Sequence, residues 1–154
     1  MHIIDEQGSV NSFPLAIVVS RFNEEVTRGL YDGAIQRLDE LDFSDHQVTV
    51  VWVPGAVEIP IAAQRLASTD TYDAIIALGA VIRGETSHFD YVCEQVSQGC
   101  QHVALNHDLP VIFGILTTDT DEQALARSRG KEGNKGRECV DAALEMVAVL
   151  RAIE

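Results

Sequence analysis

The sequence predicts an α/β fold: a three-layer α-β-α sandwich with a central four-stranded parallel sheet, doubly wound. Nearly continuous apolar runs recur along the 154-residue chain, and segments with helical spacing alternate with them. Continuous apolar runs, as opposed to alternating ones, are typical of parallel strands that are covered on both faces. Strands that alternate with helices are joined by right-handed crossovers, which place helices on both sides of one open sheet.

The predicted strands are the apolar runs at residues 15–19, 48–53, 74–82 and 111–116. The helical segments have apolar residues three or four positions apart. In chain order these residues are Val26, Leu30, Ala34, Leu38 and Leu41; Ile59, Ala62, Ala63 and Leu66; Phe89, Val92, Val96, Cys100 and Val103; Leu125; and Cys139, Ala143, Met146, Val147 and Leu150. The short fourth helix begins with a capping-box pattern, Thr120-x-x-Gln123, in which two side chains satisfy the first free N–H groups.

The chain is long enough for one domain, which we assign to residues 14–154. Residues 1–13 lack clear periodicity, and we interpret them as an N-terminal tail or a strand that pairs with a neighbouring subunit. The N-terminus has no basic start and no apolar signal core, so a cytoplasmic location is expected. No apolar run reaches the roughly 18 residues of a membrane span, so no membrane partner is expected.

Charge and cysteine content exclude further classes of function. A formal net charge of −13 argues against nucleic acid and anionic membranes as partners. The three cysteines, Cys93, Cys100 and Cys139, form no CxxC pair, so neither a zinc site nor a dithiol redox pair is predicted. We interpret them as small buried apolar residues in a reducing compartment.

The loop after the third predicted strand has the features of an anion site beside a histidine. The strand ends at Gly84, and Thr86 and Ser87 begin the next helical segment. Free N–H groups at the start of a helix, together with the helix dipole, favour bound anions. His88 follows directly, which predicts chemistry on a phosphorylated small molecule with His88 as the residue that transfers protons.

The loops after the first and second strands offer groups for a planar ligand. Asn23 is a residue type common at helix N-caps, so Phe22 is left in the loop, where its ring could stack on a heterocycle or fold into the local core. A turn at Gly55 follows the second strand, and the backbone of residues 56–57 is free to contact a heterocycle edge. Pro60 fits the first turn of the next helix.

The segment after the fourth strand concentrates positive charge in an acidic chain. Arg127 is suited to bidentate phosphate binding and Lys135 is a mobile cation, although a solvated connecting segment is an equal alternative. Gly130, Gly133 and Gly136 predict unusual backbone conformations in place of a regular helix. Neither G-x-x-x-x-G-K-[ST] nor G-x-G-x-x-G occurs, so nucleoside triphosphate and dinucleotide sites lack their motifs.

Taken together, five stretches resemble the lumazine synthase family of riboflavin biosynthesis. They are IVVSRFN at 17–23, VPGAVEIP at 53–60, ALGAVIRGETSHFDYV at 77–92, PVIFGILTTD at 110–119 and GNKG at 133–136. The resemblance extends from residue 15 to residue 153, with the motifs in the family's order, and it implies a flavodoxin-like sheet.

This resemblance implies a transferase that works without a cofactor or a metal. The enzyme condenses 5-amino-6-(ribitylamino)uracil with 3,4-dihydroxy-2-butanone 4-phosphate and releases phosphate and water, in the penultimate step of riboflavin biosynthesis. A pyrimidine amine attacks the ketone to form an imine, phosphate is eliminated, and the second ring closes. Positioning of the substrates and proton transfer are expected to supply much of the catalysis.

The resemblance also implies a role for each matching residue. The implied proton-transfer residue is His88, the implied phosphate turn is Glu85 and Thr86, and the implied cations are Arg127 for phosphate and Lys135 in the pocket lining. The implied groups for the pyrimidine and its ribityl chain are Phe22, Ala56, Val57, Glu58, Ala80, Val81, Ile82 and Phe113.

The implied assembly is a homo-pentamer with active sites between subunits, which some members close into an icosahedral cage, and riboflavin synthase is an implied partner. The chain departs from the family pattern in two places. Val57 replaces a common Phe, and SRGK at 128–131 replaces a common AGTK, which moves a glycine to Gly130.

Two other hypotheses remain to be weighed. A non-enzymatic flavin- or lumazine-binding shell protein would use the same scaffold, but it would need no proton-transfer histidine. A receiver-type signalling domain needs acidic residues at the strand ends, whereas SRF at 20–22 follows the first strand.

Overall fold

The computed structural model describes residues 1–6, 10–129 and 132–153. Its strands are β1 (Leu15–Ser20), β2 (Val48–Val53), β3 (Ala74–Ile82) and β4 (Val111–Thr118). Its α-helices are α1 (Glu24–Glu40), α2 (Ile59–Ala67), α3 (His88–His107), α4 (Asp121–Ser128) and α5 (Lys135–Ala152). Short 3-10 helices at Asp45–Gln47 and Ala56–Glu58 precede β2 and α2.

The four strands form one parallel sheet in the order β2-β1-β3-β4. The chain therefore reverses direction across the sheet between β2 and β3, and a crevice opens beside the carboxyl ends of β1 and β3. The predicted three-layer flavodoxin-like fold is confirmed, and the predicted strand positions agree to within two residues at their ends.

Each face of the sheet is buried under its own helical layer, which explains why the strands read as continuous apolar runs. Ile17 and Ile76 belong to the core cluster under α1, α4 and α5. Val18 and Ile75 belong to the cluster under α2 and α3. Because successive strand side chains point to opposite faces, both faces can be apolar only if every strand position is apolar.

Local signals at the helix starts were mostly confirmed. The Thr120 hydroxyl accepts a hydrogen bond from the Gln123 amide at 3.1 Å, and the Gln123 side chain accepts one from the Thr120 amide at 3.2 Å. Pro60 lies in the first turn of α2, as predicted. These contacts satisfy N–H groups that a helix start otherwise leaves free.

The glycine-rich segment follows its prediction only in part. Gly133 has a φ of 87°, a left-handed conformation that favours glycine. The prediction was wrong for Gly136, which lies in the first turn of α5 and is buried against the Leu30 carbonyl of α1. A side chain there would collide with the α1 backbone, so close helix packing explains this glycine. The shifted Gly130 lies outside the described residues.

The N-terminal segment contributes to the core before the first strand begins. The Phe13 ring is buried and meets the Phe43 ring edge-on at a centroid distance of 5.3 Å. Val10 packs on the same core cluster. Assignment of residues 1–13 to a tail or a subunit-pairing strand stays a prediction. Within the described ranges, no helix combines the length and apolar character needed to cross a membrane.

Candidate active site

A cavity of about 440 Å³ opens at the carboxyl ends of β1 and β3, and we call it the β3-end cavity. Its lining residues are Phe22, Asn23, Gly55, Ala56, Val57, Ala80, Val81, Ile82, Gly84, Thr86, His88, Phe89, Tyr91, Val92 and Gln95. Most of the predicted site residues are therefore brought together from four separate parts of the chain. Glu58, Glu85, Phe113, Arg127 and Lys135 are not among them.

Phe22 is held at the mouth of this cavity by backbone contacts. Its N–H donates to the Pro54 carbonyl at 2.9 Å, which extends the pairing of β1 and β2 beyond the strands. The ring is 71% exposed, so the hypothesis that Phe22 folds into the local core is wrong. An exposed aromatic ring beside an apolar cavity is free to stack on a planar ligand.

Asn23 occupies the predicted N-cap position of α1, but its side chain does not cap the helix. The residue has a left-handed φ of 65°, a conformation that Asn tolerates better than most residues. Its amide Nδ2 instead donates to the Ala80 carbonyl of β3 at 3.1 Å. This bond ties the Phe22 loop to the strand end that forms the cavity floor.

The turn at residues 84–87 leads directly into α3. The His88 amide donates to the Thr86 hydroxyl at 3.3 Å, and the Asp90 amide donates to the Ser87 carbonyl at 3.0 Å. His88 is the first residue of α3 and is exposed, so its imidazole is accessible from the cavity that it lines. The free N–H groups and dipole of this 20-residue helix favour an anion at the turn.

Sequence reasoning missed several cavity residues on α3. Tyr91, Val92 and Gln95 follow His88 at the i+3, i+4 and i+7 positions, so they share one helix face. That spacing could have identified them once His88 was placed in the first turn. The charged residue Arg83, immediately before the turn, was also missed.

Arg83 connects the turn to two other elements. Its Nε donates to Asp119 Oδ1 at 2.8 Å, and its Nη2 lies 3.8 Å from Asp90 Oδ1. Its guanidinium lies 4.4 Å from the centroid of the Phe89 ring. The hydrogen bond with Asp119 raises the pKa of Arg83, so the guanidinium, which is already protonated at neutral pH, keeps its charge there.

Arg127 and Lys135 line a different cavity of about 380 Å³, the α4 cavity. Its lining residues are Ile115, Leu116, Thr117, Thr118, Arg127, Glu132, Lys135 and Glu138. The Arg127 Nη1 donates to the Gln123 carbonyl at 3.0 Å. Both cations are exposed, and they share this cavity with two carboxylates.

Three further predicted residues lie outside both cavities. Phe113 is 38% exposed on β4, an edge strand of the sheet. Glu58 ends the short helix before α2, and Glu85 is exposed in the turn. One chain therefore does not gather all the predicted residues around one ligand.

The two cavities differ in the charged residues that line them. None of the described residues lining the β3-end cavity is Asp, Glu, Lys or Arg. A dianion there would therefore meet the start of α3, His88 and uncharged polar groups such as the Thr86 hydroxyl and the Gln95 amide, with no Lys or Arg among the described lining residues. No group of three or more His, Cys, Asp or Glu that could hold a metal ion occurs among residues 1–6, 10–129 and 132–153.

Comparison with known proteins identifies the family of the chain. Residues 12–151 match the family model for 6,7-dimethyl-8-ribityllumazine synthase. The chain is 58% identical over 144 residues to a 6,7-dimethyl-8-ribityllumazine synthase of Coxiella burnetii strain Dugway 5J108-111, covering 94% of this chain and 95% of that protein. The proteins of the same name from strains CbuG_Q212 and RSA 493 are each 57% identical with the same coverage.

The family model covers most of the chain, and the relatives match it nearly end to end. The sequence motifs and the flavodoxin-like sheet agree with that match. The chain belongs to the 6,7-dimethyl-8-ribityllumazine synthase family, a family of transferase enzymes in riboflavin biosynthesis.

Proposed function

We propose that the chain condenses 5-amino-6-(ribitylamino)uracil with 3,4-dihydroxy-2-butanone 4-phosphate to form 6,7-dimethyl-8-ribityllumazine, phosphate and water. The single observation that carries this proposal is that Phe22, the β3 end and His88 line one cavity in a member of this family. The substrates are small molecules of a size that such a cavity can enclose.

The two ends of the cavity suit the two substrates. Phe22 stacks on the pyrimidine, and the Ala56–Glu58 segment and residues 80–82 contact its edge and ribityl chain. The turn at Glu85 and Thr86 binds the phosphate of the ketone through N–H groups and a hydroxyl. Val57 supplies less apolar area than the Phe common in the family, but its backbone contacts are unaffected by the side chain.

In this proposal His88, which lines the same cavity, moves protons between the substrates. The amine loses protons as it forms the imine, and the departing phosphate leaves after a proton is removed from the carbon skeleton. A positioned imidazole contributes typically about 10²–10⁴-fold to such steps. His88→Ala is therefore expected to lower kcat by about 100-fold or more, with little effect on the affinity for either substrate.

A neighbouring subunit supplies the remaining groups in this proposal. Phe113, Arg127 and Lys135 lie on or beside the edge strand β4, away from the β3-end cavity of their own chain. Arg127 brought from a neighbour would place a bidentate cation opposite the phosphate turn, where the chain's own cavity lining has no Lys or Arg.

In this proposal the protein is a cytoplasmic homo-pentamer that can close into an icosahedral cage and associate with riboflavin synthase. Residues 1–13 would then pair with the sheet of a neighbour, with residues 14–154 as the enzyme domain. Light scattering of the purified protein separates a pentamer from a cage.

The activity is tested by mixing both substrates with the protein and following the absorbance and fluorescence of the lumazine. The rate must exceed that of the spontaneous reaction without protein. A protein that binds flavin tightly but gives no acceleration would refute the proposed activity and favour the non-enzymatic shell protein.

The intersubunit site is tested by co-assembling two impaired variants. His88→Ala and Arg127→Ala subunits, mixed within one assembly, form some interfaces that contain both wild-type residues. Activity should be higher in the mixed assemblies than in either variant alone. If co-assembly, verified by mass spectrometry of differently tagged chains, restores no activity, the two residues do not act across an interface.

A further inference from the structure

We propose that Arg83 is a positioning residue that holds the phosphate turn and the first turn of α3, with Asp119 as its anchor. The proposal builds on the function proposed above, because it concerns the same turn and His88. Arg83 has no assigned role there, and its side chain is not part of the cavity lining.

The contacts of Arg83 join three elements at the point where the turn begins. Its backbone N–H donates to the Thr118 carbonyl at 2.8 Å, which fixes the end of β3 against the end of β4. Its side chain then reaches Asp119 just beyond β4, and Asp90 and Phe89 in the first turn of α3. The residue is therefore held by β4 on one side and contacts α3 on the other.

The anchor is itself held in place. The Asp119 N–H donates to the Gln123 side-chain oxygen at 2.8 Å, and the same oxygen accepts from the Thr120 amide in the capping box of α4. Thus the carboxylate that accepts from Arg83 belongs to a loop that the helix start keeps rigid. A planar guanidinium that contacts a carboxylate and an aromatic ring at once restricts its own rotamers.

The geometry favours positioning over direct binding of phosphate. Arg83 Nε already donates to Asp119 Oδ1, Nη2 lies near the Asp90 carboxylate, and the guanidinium lies over the Phe89 ring, so part of its surface is engaged while the side chain stays 47% exposed. Exposed ion pairs contribute little to overall stability, so this arrangement has little value for the fold alone. Its location between the turn and β4 instead determines where the turn N–H groups and His88 lie.

The test compares Arg83→Met, Arg83→Lys and Asp119→Asn with wild type. If Arg83 positions the turn, Arg83→Met and Asp119→Asn should each lower kcat/KM for the butanone phosphate by about 10- to 100-fold, a loss typical of slight misplacement. The double variant should lose no more than either single one, because both changes break the same link. Arg83→Lys keeps the charge but not the planar fork, so it should recover the rate only in part.

Direct phosphate binding by Arg83 gives the opposite result for Asp119→Asn. Removal of the competing carboxylate would free the guanidinium and improve the affinity for the butanone phosphate. Improved affinity in Asp119→Asn, or full recovery in Arg83→Lys, would overturn the positioning role.

Arg151→Met is the matched control. Arg151 also pairs with a carboxylate, Asp73, at 3.3 Å, and its guanidinium lies 5.9 Å from the Phe13 ring centroid. The side chain of Arg151 is 54% exposed and that of Arg83 is 47% exposed, but Arg151 lies at the amino ends of the strands, opposite the cavity. Its removal should leave both KM values and kcat unchanged.

A second measurement does not depend on activity. Amide hydrogen exchange in a peptide covering residues 84–95 should be faster in Arg83→Met than in wild type, and unchanged in Arg151→Met. Unchanged exchange in Arg83→Met would refute the role. If wild type formed no lumazine, the proposed function would fail, while exchange would still decide whether Arg83 holds the turn.

Discussion

Phe22→Ala separates binding of the pyrimidine from stability of the fold. The ring is 71% exposed, so its removal takes little apolar area from the folded core, and the free energy of unfolding should change by less than about 0.5 kcal/mol. The same exposure leaves the ring available to a ligand, and stacking of a base on an aromatic ring is worth about 1–3 kcal/mol.

That range of energy corresponds to a loss of about 5- to 150-fold in affinity. We therefore expect the KM for 5-amino-6-(ribitylamino)uracil to rise by that factor, whereas the KM for the butanone phosphate should change little. Initial rates measured from lumazine absorbance, with each substrate varied in turn, check both statements. Phe22→Leu is the control, since it retains apolar volume without a ring face and should recover only part of the affinity.

Two results would contradict this reasoning. An unchanged KM for the pyrimidine in Phe22→Ala would mean that the ring does not stack on it. A large fall in Tm would mean that Phe22 supports the fold or the assembly, and light scattering of the variant would identify a change in assembly.

Three other changes test the fold and the site. Gly136→Ala should lower the free energy of unfolding by about 1–3 kcal/mol because the added Cβ would meet the α1 backbone. Gly84→Ala is the control and should leave Tm unchanged, since nothing lies within 4 Å of its added carbon. Equal Tm values for the two variants would refute the packing role of Gly136. Asn23→Gly keeps the left-handed backbone and loses only the hydrogen bond to β3, whereas Ala disfavours that backbone conformation. In chemical denaturation Asn23→Gly should therefore be more stable than Asn23→Ala by about 1 kcal/mol, and both variants should lose the same activity. A Gly variant that is less stable than the Ala variant would contradict this. Burial raises the pKa of the Cys100 and Cys139 thiols from 9.0 to about 11. Their contribution to the free energy of unfolding is therefore fully present below pH 9 and is lost as the pH rises towards 11. Replacement of both residues by Ala should make the free energy of unfolding fall less steeply over this pH range.

Local patterns were sufficient for the elements of the fold. The run at 74–82 was predicted with the bounds that β3 has, because a central strand covered on both faces must be apolar at every position. The capping box at Thr120 was equally local, because it joins residues three apart. The prediction for Gly136 was wrong because a glycine is needed there for close packing against α1, which is distant in sequence. Periodicity cannot show such a contact.

The candidate site was predictable where a motif and a strand end coincide, as at Phe22 and His88. The sequence alone indicated where the strands end, the turn at Gly84, and the residue types that suit a phosphate and a planar ring. The tertiary structure decided that Arg127 and Lys135 lie in a separate cavity, and that Arg83 meets Asp119 across 36 positions of sequence. Such contacts depend on the order of strands in the sheet, and that order follows from long-range packing that no local pattern encodes.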